Sequence, residues 1–235
     1  MIGAKQAVRE GVWSQLERAG VVESGVRGYI PAFVGADQAA ERLAGLPVWR
    51  EAQTLQIAPD RAQLPVRIRA LQDGKLVYMA VPKLATPEPF YLLDPHDLPV
   101  PAGEAADRTV AARIAPGISV NEMQAIDLIV CGSVAVNDRG ARLGKCAGYS
   151  DIEVALLAEA KLISDRTIIA TTVHDLQVLN EDLPEQAHDF RVDLIVTPER
   201  VIWPGNPKRP AGLDLDSLSS DQIAAIPVLA QRVRH

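Results

Sequence analysis

The sequence predicts an α/β domain organised on a mostly parallel sheet, and three observations lead there. In the second half, apolar runs of strand type at 126–136, 167–172 and 192–196 alternate with a helical pattern at 152–163. In the first half, strand-like segments at 54–58, 66–71, 76–81 and 90–93 follow helical patterns at 4–19 and 36–46. The chain has 235 residues, 48% hydrophobic and 23% charged, enough to bury one sizeable core. The expected organisation is one α/β domain over 1–203 and a C-terminal linker with a short helical tail over 204–235.

In the first helix, Ala7, Val8, Val12, Leu16 and Ala19 recur at three- and four-residue steps, an amphipathic pattern. Lys5 and Arg9 lie four apart and share a face, so they either reach one anion together or form a solvated pair. In the second helical segment Ala39, Leu43 and Leu46 form the apolar side, and the pattern runs on through Trp49. Asp73-Gly74 reads as a tight turn between strands 66–71 and 76–81. Six prolines between Pro82 and Pro101 make 82–108 poor in regular structure, with Phe90 and Tyr91 lining a pocket or covering a sheet edge. Pro204 to Pro210 reads as the linker, and 217–234 as a terminal helix broken at Pro227 that serves packing.

The informative stretch is 137–153, NDRGARLGKCAGYSDIE, between a strand and a helix start. Its glycines Gly140, Gly144 and Gly148 are interleaved with Arg139, Arg142 and Lys145, so backbone N–H groups and cations can meet a polyphosphate together. It is not a Walker A loop, since only three residues separate Gly140 from Gly144 and Cys146 follows the lysine. Nor does it contain a dinucleotide fingerprint. Ser150 and Glu153 have capping-box spacing. Asp151 suits either the helix dipole or Mg²⁺, a hard cation held by one or two carboxylates plus phosphate oxygens.

A net charge of −6 argues against broad nucleic-acid binding, so the basic residues mark a local site. Two cysteines make no disulfide framework, and no signal segment or membrane span is read, so a cytoplasmic chain is expected. The two His-Asp dipeptides and the cysteines lack the spacing of a compact zinc site. Ser133 and Cys146 lack a nucleophile elbow, and Cys146 reads as a small loop residue.

The motif Arg-Leu-Gly-x-x-x-Gly-Tyr-x-Asp, the opening Lys5-Gln-Ala-Val-Arg9, and the series Gln177, Pro184, His188-Asp189, Asp193 and Thr197 resemble the 5-formyltetrahydrofolate cyclo-ligase family, also called methenyltetrahydrofolate synthetases. The resemblance spans the chain up to Trp203. It implies a three-layer α/β/α domain related to the sugar-phosphate isomerase and CoA-transferase group, acting on a small-molecule reduced folate with ATP and Mg²⁺, as a monomer or homodimer. It further implies that Lys5, Arg9, Arg142, Gly144, Lys145, Gly148 and Tyr149 bind ATP, with Arg142 and Lys145 catalytic. Asp151 would hold the metal, and Asp60 would be the loose counterpart of a folate-contacting glutamate.

Typical members carry Gly, Tyr and Arg where this chain has Cys146, Ser150 and Ile152. The loop therefore resembles a divergent branch of the family, for which a link to thiamine metabolism has been suggested. The chemistry implied is phosphorylation of the formyl oxygen by ATP, attack by N10, and loss of phosphate to give the 5,10-methenyl product. The alternative is a nucleotide-binding paralogue that does not turn over folate.

Overall fold

The computed structural model describes residues 2–145, 148–205 and 207–233; Cys146 lies outside them. The helices are α1 (Ile2–Arg18), α2 (Ala36–Ala44), α3 (Pro47–Glu51), α4 (Leu64–Gln72), α5 (Ala102–Ala105), α6 (Arg108–Ile114), α7 (Tyr149–Glu159), α8 (Ser220–Ala225) and α9 (Pro227–Val233). The strands are β1 (Thr54–Ile57), β2 (Leu76–Ala80), β3 (Phe90–Leu93), β4 (Gly117–Ile118), β5 (Leu128–Cys131), β6 (Ala135–Asn137), β7 (Arg142–Leu143), β8 (Ile168–Thr172), β9 (Val178–Leu179), β10 (Leu194–Val196) and β11 (Val201–Ile202).

Among the described residues one large sheet runs β11-β10-β8-β5-β1-β2-β3-β4, and a small one runs β7-β6-β9. The five central strands pair in parallel, and β11, β3 and β4 add antiparallel edges. Strand alternation divides the side chains between two helical layers. Leu55, Ile57, Val77, Met79, Leu128 and Val130 join the core with α2, α4 and α6, whereas Tyr78, Ala80, Ile129 and Cys131 pack on the side of α7 and α9. A sheet covered on both faces explains the continuous apolar runs. Helix α1 uses Val12, Trp13 and Leu16 to cover the small sheet at Ala135 and Leu143.

Three expected elements differ. Residues 66–71 are not a strand but lie in α4, because parallel β1 and β2 need a crossover rather than a hairpin. Pro65 is tolerated in the first helical turn, and Val66 and Ala70 point inward one turn apart. Asp73-Gly74 is the end of that helix: Gly74 takes φ 74°, and the amides of Gly74 and Lys75 return to the carbonyls of Leu71 and Ala70. The run 126–136 is two strands in different sheets, split at Gly132 and Ser133. A Cβ on Gly132 would lie 3.0 Å from both Asp60 Oδ2 and Ile30, so a side chain there would crowd its neighbours at the point where the strands part. Lastly, α6 forms at Arg108–Ile114 behind the Asp107 cap, whose carboxylate accepts from the amides of Thr109 and Val110.

Candidate functional site

From β1 the chain crosses outward to β2 on one side, and from β5 it proceeds to β8 and β10 on the other. The carboxyl ends of β1 and β5 therefore flank a topological switch point, where open α/β sheets leave a crevice. Asp60 follows β1 and Gly132 follows β5. Buried Arg67 of α4 fixes this end of β1 by donating to the carbonyls of Ala58 and Asp60. Burial lowers its guanidinium to about 10, still cationic at neutral pH. The cleft at this position has a volume of about 950 Å³.

Residues 137–145 do not form one anion loop. Asp138 to Gly140 are the turn of the β6–β7 hairpin, stapled by Asn137 Oδ1, which accepts from the amides of Arg139 and Ala141. Gly140 sits at φ 85° with its Cα against the Val192 carbonyl, and Arg139 points away to Asp182. Their expected place beside a phosphate is thus corrected: the hairpin needs them for its own turn. The cleft-lining part begins at Arg142 and continues with Gly144, Lys145, Gly148 and Tyr149.

Lys5, Arg9, Arg142 and Lys145 line this cleft, and each already has an oxygen partner. Lys5 Nζ lies 2.5 Å from Asp189 Oδ2 and 3.2 Å from Gln186 Oε1. Arg9 Nε donates to the Gly144 carbonyl at 2.7 Å, tying α1 to the loop. Lys145 Nζ meets Asp60 Oδ1 at 2.7 Å, so the expected folate contact and an expected phosphate contact are one ion pair. Arg142 is the least exposed of the four. It stacks 4.4 Å from the Phe190 ring centroid and faces Asp151 at 3.3 Å, and a Cβ on Gly144 would strike its Nη2 at 2.8 Å. Lys5 and Arg9 are both buried, which removes the reading of a solvated pair.

The start of α7 corrects the expected capping box. Its N-cap is Gly148 at φ 69°, Ser150 lies inside the helix, and Glu153 does not return to the cap. Glu153 is instead buried and accepts from Gln56 Nε2 at 3.3 Å. Gln56 interrupts the apolar β1 on the α7 side, and Glu153 interrupts the buried run 152–157 of α7: two polar interruptions that sequence reasoning missed as a pair. Desolvation, reinforced by nearby Asp60, raises the Glu153 carboxyl to about 8, so it is protonated at neutral pH. Desolvation also raises Asp151, against the pull of Arg142. Burial works to lower Arg142, but Asp151 and the surrounding acids outweigh it and hold its pKa above the ordinary value.

Among the described residues no group of three or more His, Cys, Asp or Glu could hold a metal ion by itself. A single carboxylate can still hold a cation that also takes phosphate oxygens, the usual style of Mg²⁺. Asp151 lines the cleft and fits that single-ligand role; a dication would also favour its ionised form. His188, named in the sequence only within the motif series, also lines the cleft beside Asp189, and the segment from Arg209 to Gln222 is a contributor that sequence reasoning missed.

A model of the 5-formyltetrahydrofolate cyclo-ligase family matches residues 1–198. The chain belongs to this family. It is 33% identical, over 99% of its length, to a methenyltetrahydrofolate synthase domain-containing protein of Bos taurus, and 33% identical over 96% to that of Mus musculus. It spans 62% of the length of each of those relatives. Among solved structures, the 5,10-methenyltetrahydrofolate synthetase of Aquifex aeolicus aligns with a TM-score of 0.56 at 22% identity, covering 89% of this chain and 96% of that one. This cyclo-ligase-family chain thus shares the fold of that synthetase, with a large, mostly parallel sheet between helical layers.

Proposed function

We propose that the chain is an ATP- and Mg²⁺-dependent cyclo-ligase that converts 5-formyltetrahydrofolate to 5,10-methenyltetrahydrofolate. The observation that carries this reading is the convergence of Lys5, Arg9, Arg142 and Lys145, from α1, β7 and the following loop, on one cleft at the switch point. Phosphoryl transfer needs positioning and charge neutralisation more than a side-chain nucleophile. The formyl oxygen takes the γ-phosphoryl group and ADP leaves; N10 then attacks the activated carbon, and phosphate departs.

In this reading the side chains act by exchanging partners. Lys145 turns from Asp60 to a phosphate, which frees the Asp60 carboxylate to accept from an N–H of the reduced pterin. Lys5 moves likewise from Asp189, and Arg9 holds the Gly144 segment against α1. Arg142, locked between Phe190 and Asp151, supplies a fixed positive charge beneath the loop. Protonated Glu153 adds no negative charge where phosphates gather. Mg²⁺, held by Asp151 and phosphate oxygens, would neutralise charge on the transferred group.

Mixing the protein with Mg-ATP and 5-formyltetrahydrofolate should produce methenyl-folate absorbance that depends on ATP. ATP binding without that absorbance would reject the cyclo-ligase activity and leave a nucleotide-binding paralogue, a reading that Ser150 and Ile152 in place of the usual Tyr and Arg would then favour. Among the described residues no helix is long and apolar enough to cross a membrane.

A further inference from the structure

The family match ends at residue 198, but the cleft is also walled by the segment that follows. This segment is tied down at several points. Arg209 donates to the carbonyls of Thr167 and Arg191 and pairs with Asp193. The Leu213 amide donates to Glu159 Oε2 at 3.3 Å, and Arg232 pairs with the same carboxylate. A Cβ on Gly212 would sit 3.6 Å from Glu159 Cβ, so the strap lies against α7. Beyond it, Ile226 and Leu229 are buried in the same core as Val154 and Leu157. The expected role in packing is fulfilled, yet the strap also faces the cleft.

Helix geometry gives the cleft its polarity. From Tyr149 to Glu159, α7 advances about 15 Å, and Ile152, Ala155 and Glu159 share the face that lines the cleft. The cations gather at the Tyr149 end. Toward the Glu159 end, where Gly212 and Leu213 contact that side chain, the lining includes Pro210, Ala211, Leu213 and Leu218, with Asp214 and Ser217 among the polar groups. Apolar walls with a few polar groups suit a flat heterocycle. With phosphates at the cationic end, an extended nucleoside triphosphate would reach the strap with its base.

We propose that residues 209–218 complete a base subsite, holding the purine of the nucleotide between the strap and the Ile152–Ala155 face of α7. The proposal rests on the nucleotide reading above and adds a specificity-determining wall from outside the family-matched region. Ala211 and Ser217 are exposed and line the cleft, and neither is one of the Arg209, Glu159 or Ile226 anchors; Ser217 Oγ donates to the Asp214 carbonyl within the strap.

The test titrates the full chain, as wild type, Ala211→Trp and Ser217→Trp, with Mg-ATP and separately with magnesium tripolyphosphate, a probe that has the phosphates and lacks the base. Thermal melting checks that each variant is folded. ATP affinity should fall by about tenfold or more in at least one folded variant, while tripolyphosphate affinity stays within about twofold. Unchanged ATP affinity in both folded variants, or equal loss for both probes, would overturn the strap as a base subsite. So would a wild type that binds tripolyphosphate as tightly as ATP, though the phosphate site would then stand. A wild type that binds neither probe would remove the nucleotide reading and this proposal together.

Discussion

Replacing Glu153 with Gln exposes the electrostatic cost hidden under the site. The carboxyl has an ordinary value of 4.5 and is raised to about 8 in the fold, first by desolvation and then by Asp60. Between those values the folded state holds a proton that the unfolded chain has lost. Stability from this group is therefore fully present below pH 4.5 and disappears as pH rises through about 8. Its slope is roughly −1.4 kcal/mol per pH unit, and the whole shift corresponds to roughly 5 kcal/mol. Glutamine keeps the shape and can still accept from Gln56 Nε2, but has no proton to lose. Urea unfolding of both proteins from about pH 5 to about pH 9 isolates the effect, because other titrating groups contribute similarly to each. The variant should be within about 1 kcal/mol of wild type at the acid end and clearly more stable at the alkaline end. Parallel stability curves would refute the reasoning, since they would mean that Glu153 ionises in the fold as it does in the unfolded chain.

Other perturbations read the site and its scaffold separately. Lys145→Ala should weaken ATP binding by about 1.5 to 3 kcal/mol, measured by calorimetry, with little change in melting because the lysine is partly exposed. Asp151→Asn should abolish the Mg²⁺ dependence of ATP binding, since a neutral amide is a poor partner for a hard dication; titration with and without Mg²⁺ decides it, and an undiminished Mg²⁺ effect would require another carboxylate. Gly140→Ala would put a Cβ 2.4 Å from the Val192 carbonyl at φ 85°, and should cost about 2 kcal/mol or more in urea unfolding.

The parallel core was legible because strands covered on both faces leave continuous apolar runs, and those runs located β1, β2, β5, β8 and β10 to within a few residues. Where reading failed, a local signal was outweighed by a distant contact. The spacing of 66–71 is short enough to suit a strand or a buried helix, and only the parallel pairing of β1 with β2 decides for α4. Ser150 and Glu153 have the spacing of a capping box. Yet Gly148 takes the cap and Gln56, nearly a hundred positions earlier, claims Glu153. Gly140 looked equivalent to Gly144 and Gly148, but a hairpin turn and the Val192 carbonyl require it. Residue types identified the cations that reach the cleft, while their ion-pair partners depended on long-range folding.

Those partners affect the energetics of binding. Asp189 and Asp60 lie within 2.7 Å of Lys5 and Lys145, and Asp151 faces Arg142. Buried cations without such partners would be costly to the fold, because leaving a charge unpaired in the interior is strongly unfavourable. A ligand that enters must compete with carboxylates already in place, so a single phosphate gains little beyond what those acids provide. In the proposed reading a triphosphate carrying Mg²⁺ would have a different balance: it would meet Lys5 and Lys145 together, and its metal would give Asp151 a new cation. On that reading, the carboxylates that stabilise the cleft cations would also favour a long, metal-bearing polyanion over a simple anion.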